Sequence, residues 1–95
     1  MKRMIKSEKY EEVGPILGEV VDVHDIIKIT SDKFDVPAGT IVKVIELYQS
    51  NPEQIDLDIQ CRIVSAPEGS NLIPGEEVFI FCTENDEIGT LLSEK

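Results

Sequence analysis

His24 is the one histidine of the chain, and it stands in the run Asp22-Val23-His24-Asp25. On a strand, period-two alternation would put Asp22 and His24 on one face, which is how a metal site could begin. A catalytic zinc takes three protein ligands, usually with a second His or Cys among them. Cys61 and Cys82 fall on apolar faces and do not have CxxC spacing. The expectation is therefore no metal, with His24 on the surface at a bend. A Cys–His dyad fails for a related reason. Each cysteine occupies an inward position of an apolar strand, where a thiol packs as a small hydrophobe and burial makes it inert. There is no G-x-S-x-G elbow and no Gly-rich phosphate loop. No catalytic residue and no cofactor are expected.

Charge is the outstanding property. Nineteen acids against nine bases and a net charge of −10 are carried by only 95 residues. Lys2, Arg3, Lys6 and Lys9 against Glu8 make residues 1–9 +3, which leaves −13 for residues 10–95. A body of that sign repels a phosphate backbone, so direct nucleic-acid binding is excluded. Two functions remain open for such a surface. One is to meet a basic protein partner, with charge guiding encounter and an apolar anchor holding the complex. The other is to mimic a nucleic acid and block the basic cleft of a protein that binds one. Asp56 and Asp58 stand two residues apart on one strand face, roughly 6.6–7 Å, close to a phosphate step. Gln60 and Arg62 then break the row. A ~30 Å domain copying duplex DNA would need roughly eighteen facing charges.

The elements that position these residues are short and extended. Residues 1–12 read as a basic N-terminal arm and residues 13–95 as one domain. The arm starts like a signal peptide but Ser7-Glu8-Lys9 stands where the apolar stretch should follow. No apolar run reaches the ~20 residues of a membrane helix. The expectation is a cytoplasmic protein with reduced cysteines and no membrane partner. Val20, Val21 and Val23 and then Ile26, Ile27 and Ile29 are β-branched and predict strand, with a bend at His24-Asp25. Residues Thr40 to Tyr48 predict another, with Ile41, Ile45 and Leu47 on one face and Val42, Val44 and Tyr48 on the other. Ser50-Asn51-Pro52-Glu53 is a turn. From Ile55 to Val64 the alternation is strict, with Leu57, Ile59, Cys61 and Ile63 inward and Asp56, Asp58, Gln60 and Arg62 outward. Val78 to Thr83 is the last predicted strand. Thr83 followed by Glu84, Asn85, Asp86 and Glu87, with Ile88, Leu91 and Leu92 at helical spacing, predicts a short C-terminal helical turn.

Five or six short antiparallel strands joined by Gly/Pro turns make an all-β domain. Val36-Pro37-Ala38-Gly39-Thr40-Ile41-Val42-Lys43-Val44 resembles the entry to the second strand of an SH3-like barrel, and Ile73-Pro74-Gly75-Glu76-Glu77-Val78 resembles the entry to a later one. The resemblance spans residues 24–83 and implies a small SH3-like barrel. It implies no binding residues, since the aromatic cluster of peptide-binding SH3 domains is not matched.

The functional expectation is a non-enzymatic accessory or regulatory factor with a protein partner that is basic. An acidic nucleic-acid mimic is the alternative, and a small ligand-binding or enzymatic barrel comes third. Phe34 in a polar loop and Tyr48 near a strand end are the candidate anchors. The simpler reading of a lone loop Phe is that Phe34 caps the barrel core. Asp56, Asp58, Glu76 and Glu77 are the candidate acidic contacts. Phe79 and Phe81 alternate with Val78, Ile80 and Cys82, so both faces of the last strand are apolar. Such a strand is either sandwiched between layers or forms a subunit interface of a homo-oligomer.

Overall fold

β-branched runs decide where this chain extends, and Gly and Asp decide where it turns. A computed structural model describes residues 9–49 and 56–95. Its strands are β1 (Tyr10–Leu17), β2 (Ile26–Ile29), β3 (Ile41–Tyr48), β4 (Asp56–Ser65), β5 (Glu77–Thr83) and β6 (Glu87–Glu94). They form one antiparallel sheet in the order β1-β6-β2-β3-β4-β5. All-β architecture is as the sequence predicts. The sheet is not closed, because β1 and β5 are both edges. It nonetheless buries one cluster with members from every strand, among them Ile16, Ile27, Val42, Ile59, Ile80 and Ile88. A single sheet burying one common cluster must curl around it, which makes the molecule barrel-like.

The alternation of β4 holds as read. Ile59, Cys61 and Ile63 are buried between the more exposed Asp58, Gln60 and Arg62. In β3 the faces differ from expectation. The register shifts between Val44 and Glu46, so Ile45 is an extra residue in the ladder. A bulge reverses the alternation beyond it. Leu47 therefore joins Val42 and Val44 against the core, and Tyr48 points outward.

The C-terminal helical turn is replaced by β6. Asp86, expected near a helix start, instead accepts the Thr83 N–H at 2.8 Å and closes a tight turn. The chain then runs between β1 and β2, pairing with both. Gly89 is what allows this fit, since a Cβ there would run into the Lys28 carbonyl. Cross-strand partners on both sides outweigh the weak helical preference of a segment with a central glycine.

Val20 to Val23 is likewise not a strand. Gly18–Val20 forms a 3₁₀ turn whose Gly18 and Glu19 N–H groups donate to the Asp86 and Glu84 carbonyls. The bend at His24 is real, with φ of 80°. Of the N-terminal arm, Tyr10–Glu12 belong to β1, and residues 1–8 lie outside the described part. The turn at 50–53 lies outside it too.

Candidate interaction face

Three strands carry the site. On the outer face of β3, β4 and β5 the register sets Tyr48 opposite Asp58 and Asp58 opposite Phe81. One step along, Glu46 stands opposite Gln60 and Gln60 opposite Phe79. The bulge at Ile45 puts Tyr48 on this face, and the alternation of β5 adds both phenylalanines. Phe79 and Phe81 stack with centroids 6.1 Å apart and planes 10° from parallel. Tyr48 continues the row at 6.3 Å from Phe79, tilted 32°. Phe81 is 63% exposed, and Phe79 and Tyr48 are each 45% exposed. Other exposed apolar side chains include Val13 and Ile73, but these three rings, each touching the next through Phe79, form a continuous ridge, the kind of patch that marks an interaction surface.

Polar groups fix the ridge from one side. The Tyr48 hydroxyl donates to Gln60 Oε1 at 3.0 Å, and Gln60 Nε2 donates to Glu77 Oε1 at 2.7 Å. Arg62 completes the chain by donating to Glu77 Oε2 at 3.1 Å. The Gln60 hydrogen bond first, and the Arg62 contact next, hold the Glu77 carboxyl below its ordinary pKa. Gln60 and Arg62, which break the acidic row of β4 in the sequence, are thus the groups that position Glu77 and Tyr48.

At the other side the ridge ends in an acidic hollow of 320 Å³, walled by Phe81 and lined by Asp56, Asp58, Thr83 and Asp86. Asp86 is bound by the Thr83 N–H and by Lys33 Nζ at 3.3 Å, and these contacts hold its carboxyl below the usual range. Carboxylates beside an exposed ring suit a cationic side chain, which gains from both charge and the ring face.

Of the sequence-predicted residues, Tyr48, Asp56, Asp58 and Glu77 come together on this face. Glu76 sits in the exposed turn before β5, its carbonyl accepting the Ile63 N–H. Phe34 is a correction. It is only 5% exposed and belongs to the core, where its 3₁₀ turn Asp32–Phe34 folds it inward beneath Lys33. A buried ring cannot anchor a partner. Phe79 and Phe81 were absent from the expected contacts, although their alternation with Val78, Ile80 and Cys82 was the signal that one of the two faces lacks a cover.

Elsewhere the chemistry is quiet. Asp22 and Asp25 are used in their own turn, where the Asp22 N–H donates to the Asp25 carboxylate at 2.8 Å. Among the described residues no group of three His, Cys, Asp or Glu could hold a metal ion. Burial pushes the Cys61 thiol up to about 12 and the Cys82 thiol up to about 11, with the negative charge of Asp86 and Asp58 adding to the latter. A 740 Å³ groove runs between Tyr10, Ile41, Val64, Pro67 and Leu92, with the Lys28–Glu12 ion pair on its wall. Its polar groups are thus partly engaged with each other. No helix among the described residues is long and apolar enough to cross a membrane. No family model, curated protein or solved structure matches the chain.

Proposed function

We propose that this chain is a non-enzymatic protein-interaction module whose partner is a protein with a basic surface. The observation that carries the reading is the exposed ridge Tyr48–Phe79–Phe81, ending in the hollow of Asp56, Asp58 and Asp86. Aromatic side chains at the centre of an interface supply most of its energy, and surrounding charge speeds encounter and rejects wrong partners. The ridge also favours this reading over nucleic-acid mimicry, since a mimic needs a continuous row of acids where this face offers rings, Gln60 and Arg62. We read the curled β2–β5 meander, with β6 beside β2, as an SH3-like barrel adapted to this task. A reducing, cytoplasmic setting fits the two free cysteines.

The test is capture of partners by the immobilised chain and by a Phe79→Ala/Phe81→Ala variant, with Val13→Ala as a control on β1. A partner retained by wild type and control but lost by the double variant supports the ridge. Capture that ignores the double variant and disappears with moderate salt sinks it and favours the mimic.

A further inference from the structure

The ridge lies on a strand whose other side is open, and the backbone there points outward. Ile63 donates its N–H to the Glu76 carbonyl at 2.8 Å and accepts from the Gly75 N–H at 2.8 Å, so both its groups face the β5 side. In an antiparallel ladder every second residue repeats that orientation. Cys61 and Ile59 thus face Val78 and Ile80, which leaves the N–H and C=O groups of Glu77, Phe79 and Phe81 directed away from β4. Thr83, next in the series, agrees: its N–H goes to the Asp86 carboxylate and its C=O takes the Asp86 N–H at 3.2 Å. Among the described residues no hydrogen bond outside the β4–β5 ladder reaches the backbone of Glu77, Phe79 or Phe81. β5 also lacks the usual protection of an edge, having no Pro, no Lys and no register shift.

We propose that a partner's extended basic segment adds as a strand to this edge, pairing with Glu77, Phe79 and Phe81. The proposal rests on the interaction reading above and specifies how the face is used. Pairing with outward residues two apart places alternate partner side chains over Phe79 and Phe81, and the others beside the half-buried Val78 and the core. Charge selects the first set. A side chain opposite Phe81 lies across that ring from the hollow of Asp56, Asp58 and Asp86, and only a long cationic one, Lys or Arg, reaches over the ring toward it. The second set is apolar. The recognised sequence therefore alternates basic and β-branched residues over about five positions. Charge also argues against a second copy of this chain as occupant, since two bodies of −10 would meet.

The probe is a synthetic peptide, Lys-Val-Arg-Val-Lys-Val-Arg, compared with two others. One carries N-methyl groups on alternate residues, which blocks strand pairing but keeps the side chains. The other has the same composition with the bases in one block and the valines in the other. Binding is read by fluorescence anisotropy, and amide exchange of Phe79 and Phe81 by NMR. The expected result is tight binding of the parent alone, at least tenfold slower exchange at both amides, and at least tenfold weaker binding of each comparison peptide. Equal binding of the methylated or blocked peptide, unprotected amides, or no binding of the parent overturns strand addition. So does protection of these amides in a self-associated chain without peptide, which would make a second copy the occupant. Phe81→Ala separates the two levels. If it weakens the parent peptide while methylation does not, the ridge stands and strand addition fails; if it leaves parent binding unchanged, the ridge itself fails.

Discussion

β1 and β5 bound the same sheet, and they treat their open sides in opposite ways. β1 contains Pro15, which has no N–H to offer, and Glu11 and Glu12, and its register shifts twice along its length. These are the devices by which natural sheets discourage a further strand. β5 is Glu-Val-Phe-Ile-Phe-Cys-Thr, regular in register, with both phenylalanines exposed. Both edges reach the core, β1 through Ile16 and β5 through Ile80 and Cys82. One edge is thus guarded and the other is apolar and regular, which is the contrast that the proposed strand addition depends on.

The largest effect is expected where β1 is held to the rest of the sheet. β6 stands between β1 and β2, and Gly89 lies opposite Ile16 on one side and Ile29 on the other. A Cβ there meets the Lys28 carbonyl and comes within 3.1 Å of Ile27 Cγ2. Backbone cannot yield as a flexible side chain does, so Gly89→Ala should cost about 3 kcal/mol or more, at the upper end of overpacking. Urea denaturation measures it. A loss below about 1 kcal/mol would mean that β2 and β6 separate without penalty, and that β1 is not held as described.

Next in size is the transfer of a guard from one edge to the other. Phe81→Lys places on β5 the residue that natural edges use against pairing. The site is exposed, so folding should change by no more than about 0.5 kcal/mol, while partner affinity falls on the order of a hundredfold, as for a central aromatic anchor. Thermal unfolding and a binding isotherm on one sample separate the two quantities. Lost affinity with lost folding would say only that Phe81 is structural. The converse change, Pro15→Val on β1, should have a smaller effect than that loss of affinity, with stability moving by less than about 1 kcal/mol. Its informative readout is self-association by sedimentation. Should Pro15→Val remain monomeric at high concentration, Pro15 is not what protects β1, and the remaining acids and bulges must.

How far the sequence displayed this contrast depends on what each residue had to signal. The alternation of β4 was legible because one side of that strand is buried and the other wet, which writes period two directly into Leu57, Ile59, Cys61 and Ile63. The Val36–Thr40 turn was legible because Pro37 and Gly39 are constrained locally, and the Thr40 N–H indeed donates to the Pro37 carbonyl at 3.2 Å. β6 was not legible. Its acids and the spacing of Ile88, Leu91 and Leu92 suit a helix locally, and only the two strands on either side, distant in sequence, favour extension. The bulge at Ile45 was hidden for a similar reason, since a one-residue insertion in the ladder exists only relative to β4. Of the site, Tyr48, Asp56, Asp58 and Glu77 were visible as residue types. Phe79 and Phe81 were left open between a covered layer and an interface, because an apolar strand face reads the same whether a second layer or solvent lies over it. Phe34 erred in the other direction, a ring in a polar loop that the turn Asp32–Phe34 folds into the core.

The smallest expected effect concerns the polar brace beside the ridge. Gln60, then Arg62, stabilise the Glu77 carboxylate and hold its folded-state pKa below the ordinary value. A depressed carboxyl contributes stability above its unfolded pKa and loses it as pH falls through the folded one. The contribution of Glu77 should thus be present at pH 7, decline below about pH 4.3, and be absent once the group is protonated in both states. Because the pair is exposed, salt should weaken it. Glu77→Gln tests this through the melting temperature as a function of pH. Near neutrality the variant should melt slightly lower than wild type, and the two curves should converge in acid. If they instead run parallel down to the lowest pH, the brace acts by packing alone, and the orientation of Tyr48 through Gln60 does not depend on the charge of Glu77.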